Sequence, residues 1–161
     1  MLLQKGDKAP SFKLFSSDKK EVSLADFAGK NVIIHFFPQA FTGVCTTQLC
    51  NVRDAISMYK NDKADVVAIS VDSVFTLAKF KEEQNFPFDL LSDFNKEVSI
   101  AYSALYDVFP AFGMKGVSKR SAFVVDSNGI IQYAEILESA GDLPNFTAIN
   151  ETLNGLGVAT A

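Results

Sequence analysis

Residues 31–37, Asn-Val-Ile-Ile-His-Phe-Phe, form a nearly unbroken apolar run that stops at Pro38. A strand with one face in water alternates polar and apolar side chains, whereas a strand covered on both faces does not. The run therefore predicts a central strand buried on both sides, and residues 65–71, Asp-Val-Val-Ala-Ile-Ser-Val, predict a second. Between them Leu49, Val52, Ile56 and Tyr59 recur at helical spacing, so 45–60 reads as a helix. Two such strands joined through a helix are expected to lie parallel, with a right-handed crossover.

The flanking segments fit around that unit. Polar and apolar residues alternate over 11–14, Phe15 adds one more apolar residue, Ser-Ser-Asp-Lys-Lys at 16–20 reads as a turn, and 21–23 returns as the second arm of a small hairpin. Ser23-Leu-Ala-Asp26 has the capping-box pattern that opens a short helix, with Gly29 to end it. Further helices are expected at 75–84, 97–105 and 145–156. A strand at 121–125, a turn at Asp126-Ser-Asn-Gly129 and a strand at 130–136 make a second hairpin. The sum is an α/β sandwich with a mixed central sheet and an N-terminal β-hairpin.

Length and charge exclude several classes. A chain of 161 residues with 48% hydrophobic residues is the size of a single domain, expected over 1–161. The formal net charge is −4, with both signs interleaved, which argues against a nucleic-acid surface and its basic stripe. No apolar run approaches the roughly 20 residues that span a bilayer, and the start lacks the apolar core of a signal peptide. A cytoplasmic protein is the simplest expectation. Its two cysteines, Cys45 and Cys50, lie five positions apart, which suits chemistry or metal better than disulfide stapling.

Cys45 stands where a buried strand gives way to a helix. Unpaired N–H groups and the macrodipole of a helix start favour an anion. Such ends, like nearby cations, lower a thiol's pKa from its ordinary value of about 8.5. The strand-to-helix corner is also where open α/β sheets place ligands. A free cysteine is as often a small buried hydrophobe, and position alone leaves both readings open.

The stretch Pro38-x-x-x-Thr42-x-x-Cys45 resembles the active-site signature of the peroxiredoxins, the thiol-specific antioxidant and alkyl hydroperoxide reductase type. The resemblance extends over nearly the whole chain. Gly6-Asp-Lys-Ala-Pro10-Ser-Phe12 is similar to the family's first segment and Val22-Ser-Leu-Ala-Asp-Phe27 to its short helix. Ser118-Lys-Arg120-Ser-Ala-Phe-Val-Val-Asp126 is similar to the strand bearing its arginine. The spacing of Cys50 resembles the Q type, while the residues flanking Cys45 look closer to the E type.

The resemblance implies a thioredoxin-like fold and a peroxidase that needs neither metal nor organic cofactor. Cys45 would attack the terminal oxygen of a hydroperoxide and become a sulfenic acid. Arg120 would stabilise the thiolate and polarise the peroxide, and Thr42 would hydrogen-bond the peroxide. Pro38 would shield the pocket without a competing N–H, and Gln48, one helical turn on from Cys45, would orient Arg120. Cys50 would be the resolving thiol, and a thioredoxin-like donor would then reduce the disulfide. On an intact helix the two Cα atoms lie ~8.7 Å apart, beyond the roughly 7 Å a disulfide tolerates, so the first turns must unwind. A one-cysteine mechanism with Cys50 as packing, or a thiol sensor without turnover, are the alternatives. A thioredoxin-type oxidoreductase is disfavoured because Cys-x-x-Cys is absent. Monomer and homodimer both remain open.

His35, the only histidine, reads as a buried, hydrogen-bonded residue. Zinc held by His35, Cys45 and Cys50 would lack a fourth ligand. The segment 106–114, Tyr-Asp-Val-Phe-Pro-Ala-Phe-Gly-Met, is too apolar for an ordinary exposed loop and is expected to rim the site or a dimer contact.

Overall fold

The computed structural model describes residues 2–156; Met1 and residues 157–161 lie outside it. The chain forms β1 (Lys13–Ser16), β2 (Glu21–Ser23), β3 (Asn31–Phe36), α1 (Gly43–Asp54), α2 (Ile56–Tyr59) and β4 (Ala64–Ser70). It continues as α3 (Val74–Gln84), β5 (Asp89–Ser92), α4 (Glu97–Ala101), β6 (Ser121–Val125), β7 (Ile131–Ile136) and α5 (Phe146–Asn154). The strands make one sheet in the order β2-β1-β5-β4-β3-β6-β7. The sheet is mixed: β3 runs parallel to β4 and antiparallel to β6, and β4 runs parallel to β5.

All six residues of β3 are buried, as its nearly unbroken apolar pattern requires. Successive side chains point to opposite faces. Ile33 joins Leu49 and Val52 of α1, Leu77 and Phe80 of α3 and Ile149 of α5 in one core. Val32, Ile34 and Phe36 join Phe12, Val98 of α4 and Tyr102 in the other. Each fully buried aliphatic or aromatic side chain contributes about 1.5–3 kcal/mol, so this strand alone anchors both layers. The mixed sheet between two helical layers bears out the expected class.

Several local expectations need correction. The helix expected over 45–60 begins two residues earlier and breaks at Ala55, whose N–H reaches back only to Val52 O (3.2 Å). That tighter turn leads into α2, where Tyr59 donates to Asn150 Oδ1 of α5 (2.6 Å). The helix expected over 97–105 stops at Ala101. Ser103 is left-handed (φ 57°), and Leu105 pairs with Ser118 instead. The capped segment after Ser23 is a single 3-10 turn, Leu24–Phe27, with the Ser23 N–H donating to Asp26 Oδ2 (2.9 Å). The four-residue β5 is too short to show a period, and only its place between β1 and β4 defines it.

Candidate active site

The antiparallel register of β3 and β6 pairs Phe36 with Ser121. The end of β3, which leads through Pro38 into α1, therefore lies beside Arg120, the residue preceding β6. This register carries Arg120 across 75 positions to Cys45, with Nη1 at 3.2 Å from Sγ.

Cys45 is the third residue of α1, after Thr42 at the N-cap. The first helical bond runs from Thr46 N–H to Thr42 O (2.9 Å), which leaves the N–H groups of Gly43, Val44 and Cys45 as the unpaired donors of that turn. The Thr42 hydroxyl does not cap the helix; it donates to Gln39 O (2.9 Å), and its lone pairs remain as acceptors. The loop before it turns through Phe41, a left-handed residue (φ 66°) whose ring packs on Phe80 at 5.0 Å. Asp72 holds this loop from outside, accepting from Ala40 N–H (2.8 Å) and Ser70 Oγ (2.6 Å).

Arg120 is 2% exposed. Its Nη1 also donates to Gln48 Oε1 (2.9 Å) and its Nη2 to Ala140 O (2.9 Å), while Nε has no partner among the described residues. No carboxylate among those residues forms an ion pair with it. A buried guanidinium without a counter-ion carries a large desolvation cost. Among the described residues, the Cys45 thiol is the titratable side chain within hydrogen-bond distance of it.

Pro38, Thr42, Cys45 and Arg120 line one cavity of about 270 Å³, together with Phe109, Phe112, Met114 and Ala140. Four of the residues marked in the sequence thus converge. The apolar segment 106–114 rims this cavity, as expected, with Phe112 94% exposed at its mouth. A cleft of similar size, about 260 Å³ between Lys8, Phe27 and Asn128, holds no cysteine, histidine or arginine, so volume alone does not single out the site.

Gln48 lies behind the cavity, fully buried, and Cys50 does not line it. Both cysteines are free thiols on an unbroken helix. Cys50 packs against the core beneath α1, with Sγ 3.7 Å from Gln84 Oε1 at the end of α3. Asp72 and Ala140 were missed in the sequence. Ala140 acts through its carbonyl and left no side-chain signal; Asp72 had only its place just after a strand predicted to end at 71.

His35 is buried and hydrogen-bonded, as expected, through Nδ1 to Gln48 Nε2 (3.0 Å). Burial lowers its pKa from 6.5 to about 4, because desolvation disfavours the imidazolium. Between those values the unfolded chain binds a proton that the folded chain refuses. The stability due to neutral His35 is therefore complete above pH 6.5 and is lost as pH falls towards 4. Urea unfolding of wild type and His35→Leu at pH 7, 5.5 and 4 should show wild type losing about 3 kcal/mol more over that range. Parallel losses in the two proteins would mean that His35 titrates normally in the fold.

The mixed sheet in this order, with helices packed on it, defines a thioredoxin-like fold. Compared with solved structures, the chain is similar to the peroxidoxin BcpB from Mycobacterium tuberculosis, with a TM-score of 0.83 at 26% identity over 96% of this chain and 99% of that one. The model of the AhpC/TSA family matches residues 5–134, and the chain belongs to that family. It is 43% identical over 135 residues to a protein of M. tuberculosis strain H37Rv named for the peroxiredoxins, covering 83% of this chain and 85% of that one. It is 38% identical over 136 residues to alkyl hydroperoxide reductase E of the same strain, covering 84% and 86%. The chain is accordingly a peroxiredoxin, an enzyme that reduces hydroperoxides with electrons from thiols.

Proposed function

We propose that Cys45 is the peroxidatic thiol, that Arg120 and Thr42 are its partners in the pocket, and that Cys50 resolves the oxidised form. One observation carries the reading: the buried Arg120 Nη1 stands 3.2 Å from Cys45 Sγ, with no carboxylate among the described residues to neutralise it. The thiolate is the nucleophile in chemistry of this kind, and the guanidinium donates to the sulfur from 3.2 Å. The anion attacks the terminal oxygen of ROOH; an S–O bond forms, the O–O bond breaks, and RO⁻ leaves to take up a proton as ROH. Charge developing on the leaving oxygen meets Arg120 and the free N–H groups of the helix start. Thr42, its own proton engaged by Gln39 O, accepts from the peroxide O–H and aligns it. Pro38 walls the pocket and adds no donor.

For resolution, the Cys50 sulfur attacks the sulfenic sulfur, an S–S bond forms, the S–O bond breaks, and the hydroxyl leaves as water with the proton given up by the Cys50 thiol. α1 must open first. Thr46 and Thr47 support this, since both hydroxyls bond back to first-turn carbonyls, Thr42 O (2.7 Å) and Gly43 O (3.0 Å), a pattern that weakens and bends helices. A thioredoxin-like dithiol then reduces the disulfide by exchange. The close pair of thiols suits a reducing compartment, and we read the protein as cytoplasmic.

The core packing of Cys50 favours a second reading, a one-cysteine mechanism with an external resolving thiol. Cys50→Ser separates the two. With Cys50 resolving, the variant keeps the rate of the first oxidation, stalls as sulfenic acid, turns over slowly with thioredoxin and its reductase, and over-oxidises to sulfinic acid sooner. Wild type given one equivalent of peroxide loses both thiols and some helix. Mass spectrometry after alkylation reads the outcome; a sulfenic acid at Cys45 beside a free thiol at Cys50 in oxidised wild type rejects the resolving role.

A further inference from the structure

Arg120 can only donate hydrogen bonds. Its bond to Gln48 therefore requires the amide oxygen on the Arg120 side, which places Nε2 against His35 Nδ1 at 3.0 Å and Phe36 O at 3.4 Å. Since Nε2 has only protons to offer, Nδ1 must be bare and the ring proton must sit on Nε2. That second nitrogen has no partner among the described residues and lies within the ring contact to Phe146, 5.8 Å between centroids. A tautomer forced at one nitrogen and unrewarded at the other indicates that the bond to Gln48 sets the state of this histidine.

From this chain of contacts, and resting on the reading of Cys45 and Arg120 given above, we infer that His35 is a positioning residue for the peroxidatic site: its Nδ1 locks the Gln48 amide so that the amide oxygen holds Arg120 Nη1 against the Cys45 sulfur. Without His35 only the longer bond to Phe36 O (3.4 Å) opposes a turn of the amide. One of its two orientations then points an NH₂ group at the guanidinium, donor against donor, and pushes Nη1 off the sulfur. Burial keeps the imidazole neutral near pH 7, so the acceptor is present under working conditions. The anchoring is one-sided, because Nη2 is fixed separately by Ala140 O and Nε has no partner among the described residues. The orientation of Nη1 thus depends on Gln48, and that of Gln48 on His35, the closer of the two acceptors on its Nε2.

A double-mutant cycle tests this, using His35→Leu, close in volume but without the acceptor, and Gln48→Met. The second-order rate constant of Cys45 with hydrogen peroxide is measured by stopped flow, and alkylation of the Cys45 peptide by iodoacetamide is followed by mass spectrometry. His35→Leu should slow the peroxide reaction by roughly three- to tenfold, the range expected from one hydrogen bond. In the Gln48→Met background the same change should have no further effect. His35→Asn, whose Oδ1 can occupy the place of Nδ1, should recover most of the rate even where thermal unfolding shows it less stable than His35→Leu. Equal losses from His35→Leu in both backgrounds, or none in either, would overturn the positioning role, as would failure of His35→Asn to exceed His35→Leu. If wild type does not react with peroxide while the cycle still appears in alkylation, the peroxidase chemistry fails and the positioning stands.

Discussion

Cys45→Ser is expected to consume hydrogen peroxide no faster than the buffer blank, whatever reductant is supplied. Serine keeps the size of the side chain and can still accept from Arg120 Nη1, so the pocket and α1 should survive, with an unchanged circular dichroism spectrum. What is lost is the nucleophile, since a hydroxyl does not ionise near neutral pH and oxygen is far less reactive towards a peroxide bond. The variant retains Cys50, so it also asks which of the two thiols reacts. Cys50 sits partly buried against Gln84, away from Arg120 and outside the cavity. It should therefore not substitute for Cys45. Stopped-flow traces decide the matter: a wild-type rate of oxidation in Cys45→Ser would move the reaction to Cys50 and remove the basis of the site.

Arg120→Met should reduce the second-order rate constant by roughly 100- to 1000-fold, about 3–4 kcal/mol of transition-state stabilisation, the usual cost of deleting a charge-stabilising donor. Stability should respond differently. The buried cation has no carboxylate partner among the described residues, so relief of its desolvation offsets the bonds lost to Gln48 Oε1 and Ala140 O. Unfolding in urea is expected to stay within about 1 kcal/mol of wild type. A drop of more than about 3 kcal/mol, with a rate within tenfold of wild type, would make Arg120 a structural residue. Arg120→Lys is not a neutral exchange either, because one ammonium on a flexible stem cannot face Cys45, Gln48 and Ala140 at once.

The sheet was largely legible because burial on both faces leaves a one-dimensional trace. The apolar runs at 31–37 and 65–71 became β3 and β4, parallel as the helix between them requires, and the turn Asp126–Gly129 closed β6 on β7. Where length is short or neighbours decide, the trace fails. β5 is four residues and was not anticipated, and the break at Ala55 and the early end of α4 reflect contacts made by Tyr59 and by the strand-like pairing at Leu105.

For the site, local sequence was enough to place Cys45 at a helix start next to Pro38 and Thr42, since helix starts and chain spacing are local properties. The resemblance to a known family added Arg120, Gln48 and Cys50. Only the tertiary structure decided how these meet. The pairing of Phe36 with Ser121 brings Arg120 to the sulfur, and no carboxylate among the described residues pairs with that guanidinium. Gln48 turns inward to His35, and Cys50 is seated against α3 rather than in the cavity. The physical reason is one of range. Propensity, capping and burial pattern act over a few residues and are written in order along the chain. The charge environment of one sulfur atom is instead a sum over groups tens of positions apart, and only the register of the sheet sets their distances.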